Sequence, residues 1–190
     1  IMGYLNNNFG SLIADSWISN YLFNFSLILL LFVMGFLFGA DREAVVKLRR
    51  AGLKIFIVSF SITLGSIVGG LVGGYVLGLS LVGSMAVSAG FGWYTLAGPL
   101  VGRLFGSELG ALGFVVNFLR ELLTILTVSF MVKVDRYAPT ASGGATTMDT
   151  TLPVIVRYCG SESLMNAFSS GFILSIIAPF TITTIATLPH

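Results

Sequence analysis

Charge is what this chain has least of. Only 9% of its 190 residues are charged and 55% are hydrophobic, whereas a soluble domain carries roughly 25% charged residues. Residues 16–40, 55–102 and 163–189 contain no Asp, Glu, Lys or Arg, and each stretch can hold at least one membrane-spanning helix of ~20 residues. The buried strands of a soluble α/β fold would run about 4 to 8 residues between polar turns, far shorter than these runs. The expected fold is an all-α polytopic membrane protein whose immediate partner is the lipid bilayer.

Other scarcities narrow the chemistry. One cysteine, Cys159, cannot form an intrachain disulfide, and one histidine, His190, cannot build a metal site alone. No metal and no cofactor are therefore expected. Gly90-Phe91-Gly92 lies in no βαβ unit and Ser142-Gly143-Gly144 lacks the lysine of a phosphate loop, which argues against nucleotide binding. Ser142 and Ser169 have no histidine base in the spans, so a hydrolase is not expected, nor an enzyme of another kind. The net charge of +2, without a basic tail or stripe, gives no footprint for nucleic acid. The start Ile1-Met2-Gly3-Tyr4-Leu5 has no basic n-region, which suits the remnant of an earlier span better than a signal peptide.

What is present divides into about six hydrophobic segments. The first span is expected over 21–40. A polar connection over 41–54 follows, with Arg42, Lys47, Arg49, Arg50 and Lys54, five of the ten positive charges. The positive-inside rule makes that connection cytoplasmic. A span over 53–79 has Gly65, Gly69 and Gly73 in one row and Gly70 and Gly74 in a second, and small-residue rows let helices pack closely. The segment 80–104 is apolar but contains Gly90, Gly92 and Pro99, which work against continuous helix. A regular span over 109–132 comes next, then a second interrupted segment over 138–160 with Gly143, Gly144 and Pro153. The last span, 164–188, carries Asn166, Ser169, Ser170, Gly171, Ser175 and Pro179, which suits packing against helices rather than lipid.

The two interrupted segments are an internal repeat. Pro99, Arg103 and Gly106-Ser107-Glu108 recur 54 positions later as Pro153, Arg157 and Gly160-Ser161-Glu162, and Ser88 and Gly90 recur as Ser142 and Gly144. Paired discontinuous helices in transporters meet near the midplane, where unwound backbone lines a cavity. If both segments cross the membrane, Arg103 and Arg157 join the cytoplasmic side; if both re-enter, Lys133, Arg136 and Arg157 do. The charge bias is satisfied either way. Both arrangements put the C-terminus outside.

Three polar residues interrupt the span over 109–132. Asn117 and Glu121 are four apart, with Arg120 beside them on nearly the same helix face. A charge near the bilayer centre costs about 2.5 to 3.5 kcal/mol on insertion scales and usually marks an ion, proton or substrate path. Arg120 could instead lock helices by pairing with Glu121 or Asp149. Asp149 lies in the second break among Thr146, Thr147, Thr150 and Thr151, an acceptor cluster suited to a cation; its bland alternative is a cap on the helix near Pro153. A carboxylate in such a site can trade a proton for a cationic substrate. Gly144 is expected to tolerate nothing larger than alanine.

Taken together, Gly90-Phe91-Gly92-Trp93-Tyr94, Asn117-x-x-Arg120-Glu121, Gly144-Ala145-Thr146-Thr147-Met148-Asp149-x-Thr151-Leu152-Pro153 and Gly171-Phe172-Ile173-Leu174-Ser175 resemble the LysO family of lysine exporters. The resemblance runs from about residue 27 to 179 and matches the C-terminal part of the longer members. It implies export of L-lysine and its toxic analogues, with an intramembrane acidic pair falling on Glu121 and Asp149. It also implies that N-terminal spans are supplied by a small membrane subunit or a second copy. The expectation is a multi-pass antiporter in the cell membrane, residues 1–190 forming one transport domain that exchanges L-lysine for protons. Transport of Na⁺ or another basic amino acid, or a non-transporting membrane subunit, are the alternatives.

Overall fold

The computed structural model describes residues 16–40 and 42–189. The chain divides into two compact units, 1–46 and 47–190. In the first, α1 (Ser16–Ala40) is an uninterrupted apolar helix on which Phe32 and Phe36 stack one turn apart. The helix α2 (Arg42–Val76) corrects the expected polar connection. Ala, Leu, Lys, Arg and Glu are strong helix formers, so the basic segment is helical up to Gly52, whose φ of 64° and ψ of −163° break the helix before the apolar part begins.

Six further helices follow: α3 (Leu81–Ser88), α4 (Tyr94–Phe105), α5 (Ser107–Val134), α6 (Ala138–Gly143), α7 (Leu152–Cys159) and α8 (Ser163–Ile185), with a 3-10 turn over Gly144–Met148 between α6 and α7. Among the described residues, three stretches are long and apolar enough to cross a bilayer: Ile55–Val76 of α2, α5 and α8. The helices α3, α4, α6 and α7 are too short, since even the twelve residues of α4 rise only about 18 Å.

The contacts along α5 settle how the short helices run. Going up α3, Gly83 lies against Leu109 and Gly90 against Asn117. Coming back down α4, Tyr94 packs edge-on against Phe114 and Phe118, Gly98 lies on Phe114, and Gly102 meets Gly110. The first interrupted segment therefore enters and leaves at the N-terminal end of α5. The second uses the other end. Ser142 reaches Thr124, Ile155 and Cys159 pack with Val132 and Ala167, and Arg136 pairs with Glu162 at 2.8 Å. Both segments are re-entrant hairpins, inserted from opposite ends of α5.

The repeat is visible in the backbone. Gly106 (φ 99°, ψ 160°) and Gly160 (φ 86°, ψ 162°) turn the chain in the same way after α4 and α7. The prolines do not act as expected. Pro99 lies inside α4, because the break comes earlier, where Phe91 and Gly92 take φ of 51° and 100°. Pro153 opens α7, a position at which a missing N–H is not needed. The last span is the interior one: 61% of its most apolar window is buried, against 17% in α5 and in the α2 span.

Candidate functional site

The tips of the two hairpins cross beside the middle of α5. The Ala145 N–H donates to the Phe91 carbonyl at 2.8 Å. Gly144, at φ 64°, lies so close to that carbonyl that a Cβ there would overlap it, and a Cβ on Gly92 would sit 3.0 Å from the Gly143 carbonyl. Glycine is required here by contact as well as by conformation, so even alanine does not fit at Gly144, contrary to the expectation from sequence.

Helix α5 supplies the groups that hold each tip. The side-chain oxygen of Asn117 accepts from Gly92 N–H at 2.7 Å, and its amide nitrogen donates to Val87 and Gly113 carbonyls at 2.9 and 2.8 Å. Arg120 does the equivalent for the second hairpin: Nε donates to Ser142 O at 2.7 Å, one terminal nitrogen to Ala141 O at 2.9 Å, and the other to Ser66 Oγ at 2.8 Å. Val87 and Ala141 are equivalent in the repeat, 54 positions apart. Each is a carbonyl at the C-terminal end of a half-helix, where the dipole is negative. Arg120 thus pairs with carbonyls and a hydroxyl, and not with Glu121 or Asp149.

Glu121 lies on the other flank of the buried stripe formed by Gly113, Asn117, Thr124 and Val128, since consecutive helical residues are about 100° apart. Its Oε2 is buried and has no hydrogen-bond partner. Asp149 ends the 3-10 turn and is exposed; its Oδ1 accepts from Thr150 N–H at 2.6 Å. No hydrogen bond or ion pair joins the two carboxylates. The threonines divide. Thr147 is fully buried and bonds the Gly144 and Ala167 carbonyls. Thr146 bonds the Gly143 carbonyl and the Thr151 hydroxyl. Thr150 is exposed beside Asp149.

Two cavities flank Arg120. One, of about 600 Å³, lies between α2 and α6 and is lined by Ser61, Gly65, Tyr137 and Ser142 among others. The other, of about 290 Å³, lies between α2 and α3 beside Gly73, Ser84, Ser88 and Asn117. Ser66, Gly69 and Arg120 line both. Among the described residues, neither lining contains an acidic one. Ser66 was not legible as a site residue, although it stands one turn before Gly70 and Gly74, whose row packs on Ser88 and Ser84 of α3. The expected first row, Gly65, Gly69 and Gly73, meets nothing within 4 Å.

A family model described as lysine exporter LysO matches residues 1–186. The chain belongs to that family. Among curated relatives, the lysine exporter LysO of Escherichia coli strain K12 is 35% identical over 161 residues, 83% of this chain and 52% of the relative. A protein of Haemophilus influenzae named putative lysine exporter is 27% identical over 127 residues, 67% of this chain and 65% of the relative. The chain therefore spans between about half and two thirds of the length of these LysO-type relatives. No solved structure matches it.

Proposed function

We propose that this chain exports L-lysine and its toxic analogues from the cytoplasm in exchange for protons, residues 1–190 acting as one transport domain. The substrate follows from what the two relatives are named. The observation that carries the mechanism is the unpartnered, buried Glu121 Oε2 on the helix that holds both hairpin tips. A buried carboxylate oxygen without a partner is costly to leave in place, and a proton or a substrate ammonium offsets that cost. Asp149, whose exposed carboxylate bonds only Thr150, is the second acidic group offered to the ammonium. Proton and lysine then compete for the same oxygens.

The positive-inside rule orients the chain. Lys47, Arg49, Arg50 and Lys54 precede the α2 span, while Lys133, Arg136 and Arg157 cluster at the C-terminal end of α5. These ends face the cytoplasm in our reading, with Arg103 and the C-terminus outside.

Counter-flow of labelled lysine in proteoliposomes tests the activity; no lysine-dependent flux under any imposed proton gradient would refute it. Glu121→Gln keeps the shape but cannot release a proton, so transport should fall and lose its pH dependence while insertion is retained. Asp149→Asn should weaken lysine roughly ten- to a hundredfold, the worth of a charge-assisted contact, with Asp149→Glu retaining part of the activity. Wild-type efflux from Asp149→Asn would remove that residue from the site.

A further inference from the structure

Arg120 is the feature that export of a cation does not explain. It puts a fixed positive charge beside the hairpin tips and both cavities, which by itself repels a cationic side chain there. It is also anchored: three of the five guanidinium N–H groups are held by Ser142 O, Ala141 O and Ser66 Oγ. The partners are neutral, so the formal charge stays uncompensated. Two N–H donors remain, and the guanidinium borders both the 600 Å³ and the 290 Å³ cavities, whose linings contain no Asp or Glu among the described residues. A guanidinium locked by its other bonds is a preorganised receptor for a carboxylate.

We infer that Arg120 binds the α-carboxylate of the transported amino acid, in the cavity between α2 and α6. The inference rests on the reading of this chain as an amino-acid exporter and adds the group that tells an amino acid from a simple amine. The hydroxyls of Ser61, Tyr137 and Ser142 in the same lining can solvate the rest of the head group. Glu121, on the other flank of the buried stripe of α5, is left for ammonium or proton, so the two ends of a zwitterionic substrate address two flanks of one helix about 100° apart.

The test is ligand-induced thermal stabilisation of the purified full chain by four probes: lysine, lysinamide, 1,5-diaminopentane and norleucine. Wild type should bind lysine roughly ten- to a hundredfold more tightly than lysinamide or the diamine, and Arg120→Gln should bring that ratio close to one. Ser66→Ala frees one N–H without touching the α6 carbonyls; it should weaken lysine severalfold and leave lysinamide unchanged, which keeps the inference testable if Arg120→Gln does not fold. A purely structural arginine would lower the ligand-free melting temperature and leave the lysine-to-lysinamide ratio intact, which overturns the inference. Equal stabilisation of wild type by lysine and lysinamide overturns it as well, while leaving lysine export standing. Arg120-dependent binding of norleucine as tight as that of lysine supports the carboxylate clamp and defeats lysine as the substrate.

Discussion

The two re-entrant hairpins share a sequence skeleton and differ in what holds them. In the first, a neutral amide, Asn117, bonds the C-terminal carbonyl of α3 and the N–H of Gly92. In the second, a cation, Arg120, bonds the C-terminal carbonyls of α6. The position in α8 that corresponds to Asn117 is Gly171, 54 residues on. There the 3-10 turn approaches the helix directly, so that a Cβ on Gly171 would sit 2.5 Å from Met148 N and 2.6 Å from Thr147 Oγ1. The first tip contains no ionisable residue; the second ends in Asp149 and is tied to a guanidinium. The two copies thus share the turn at Gly106 and Gly160 but differ at their tips, in backbone and in charge.

The largest effect is expected where the two tips touch. Gly144→Ala would drive a methyl group into the Phe91 carbonyl at a positive φ, breaking the Ala145 N–H bond to it, and should cost about 3 kcal/mol or more. Thermal unfolding in detergent measures this, and a melting temperature unchanged from wild type would mean that the tips do not cross as described. Gly171→Ala comes next. The clash is with backbone and the Thr147 hydroxyl of the second tip alone, so the loss should be about 2 kcal/mol, and an accessible cysteine placed at Thr150 should report altered labelling while one near Phe91 does not.

Asn117→Leu separates scaffold from chemistry. It orphans the Gly92 N–H, which costs about 1 to 3 kcal/mol for a buried group left without its bond, and leaves the Val87 carbonyl only its 3.4 Å contact with Gly90 N–H. Stability should fall, while the discrimination between lysine and lysinamide in the protein that remains folded should not. A changed ratio would show that the first hairpin also contacts substrate. The smallest effect distinguishes the two glycine rows of α2. Gly69→Ala meets open space and should change the melting temperature by less than the equivalent of about 1 kcal/mol. Gly70→Ala meets Ser88 Oγ and the Ser84 carbonyl and should be clearly worse, as comparison of the two melting curves will reveal.

Some of this was legible in the residues. The break at Gly90–Gly92, the break at Gly143–Gly144 and the polar trio of α5 follow from glycine placement and from charges in an apolar run, because each violates a strong local rule. Pro99 misled, since proline is tolerated inside α4 once the flanking glycines have already turned the chain. The charge of the basic stretch before Gly52 suggests a polar connection, although its residues favour helix.

By itself the sequence determined the membrane class, the long apolar segments and the 54-residue repeat, all of which depend on hydrophobicity and spacing along the chain. It could not decide whether the interrupted segments cross or re-enter, because either route satisfies the same distribution of lysine and arginine. That was decided by side-chain levels along α5, Gly83 at Leu109 and Gly90 at Asn117 on one side, Ser142 at Thr124 on the other. Only the folded chain could also assign Arg120 to carbonyls rather than to Glu121. The choice between a neighbouring carboxylate and two half-helix carbonyls depends on which groups α6 brings within 3 Å of the guanidinium, a distance that no spacing along the sequence encodes.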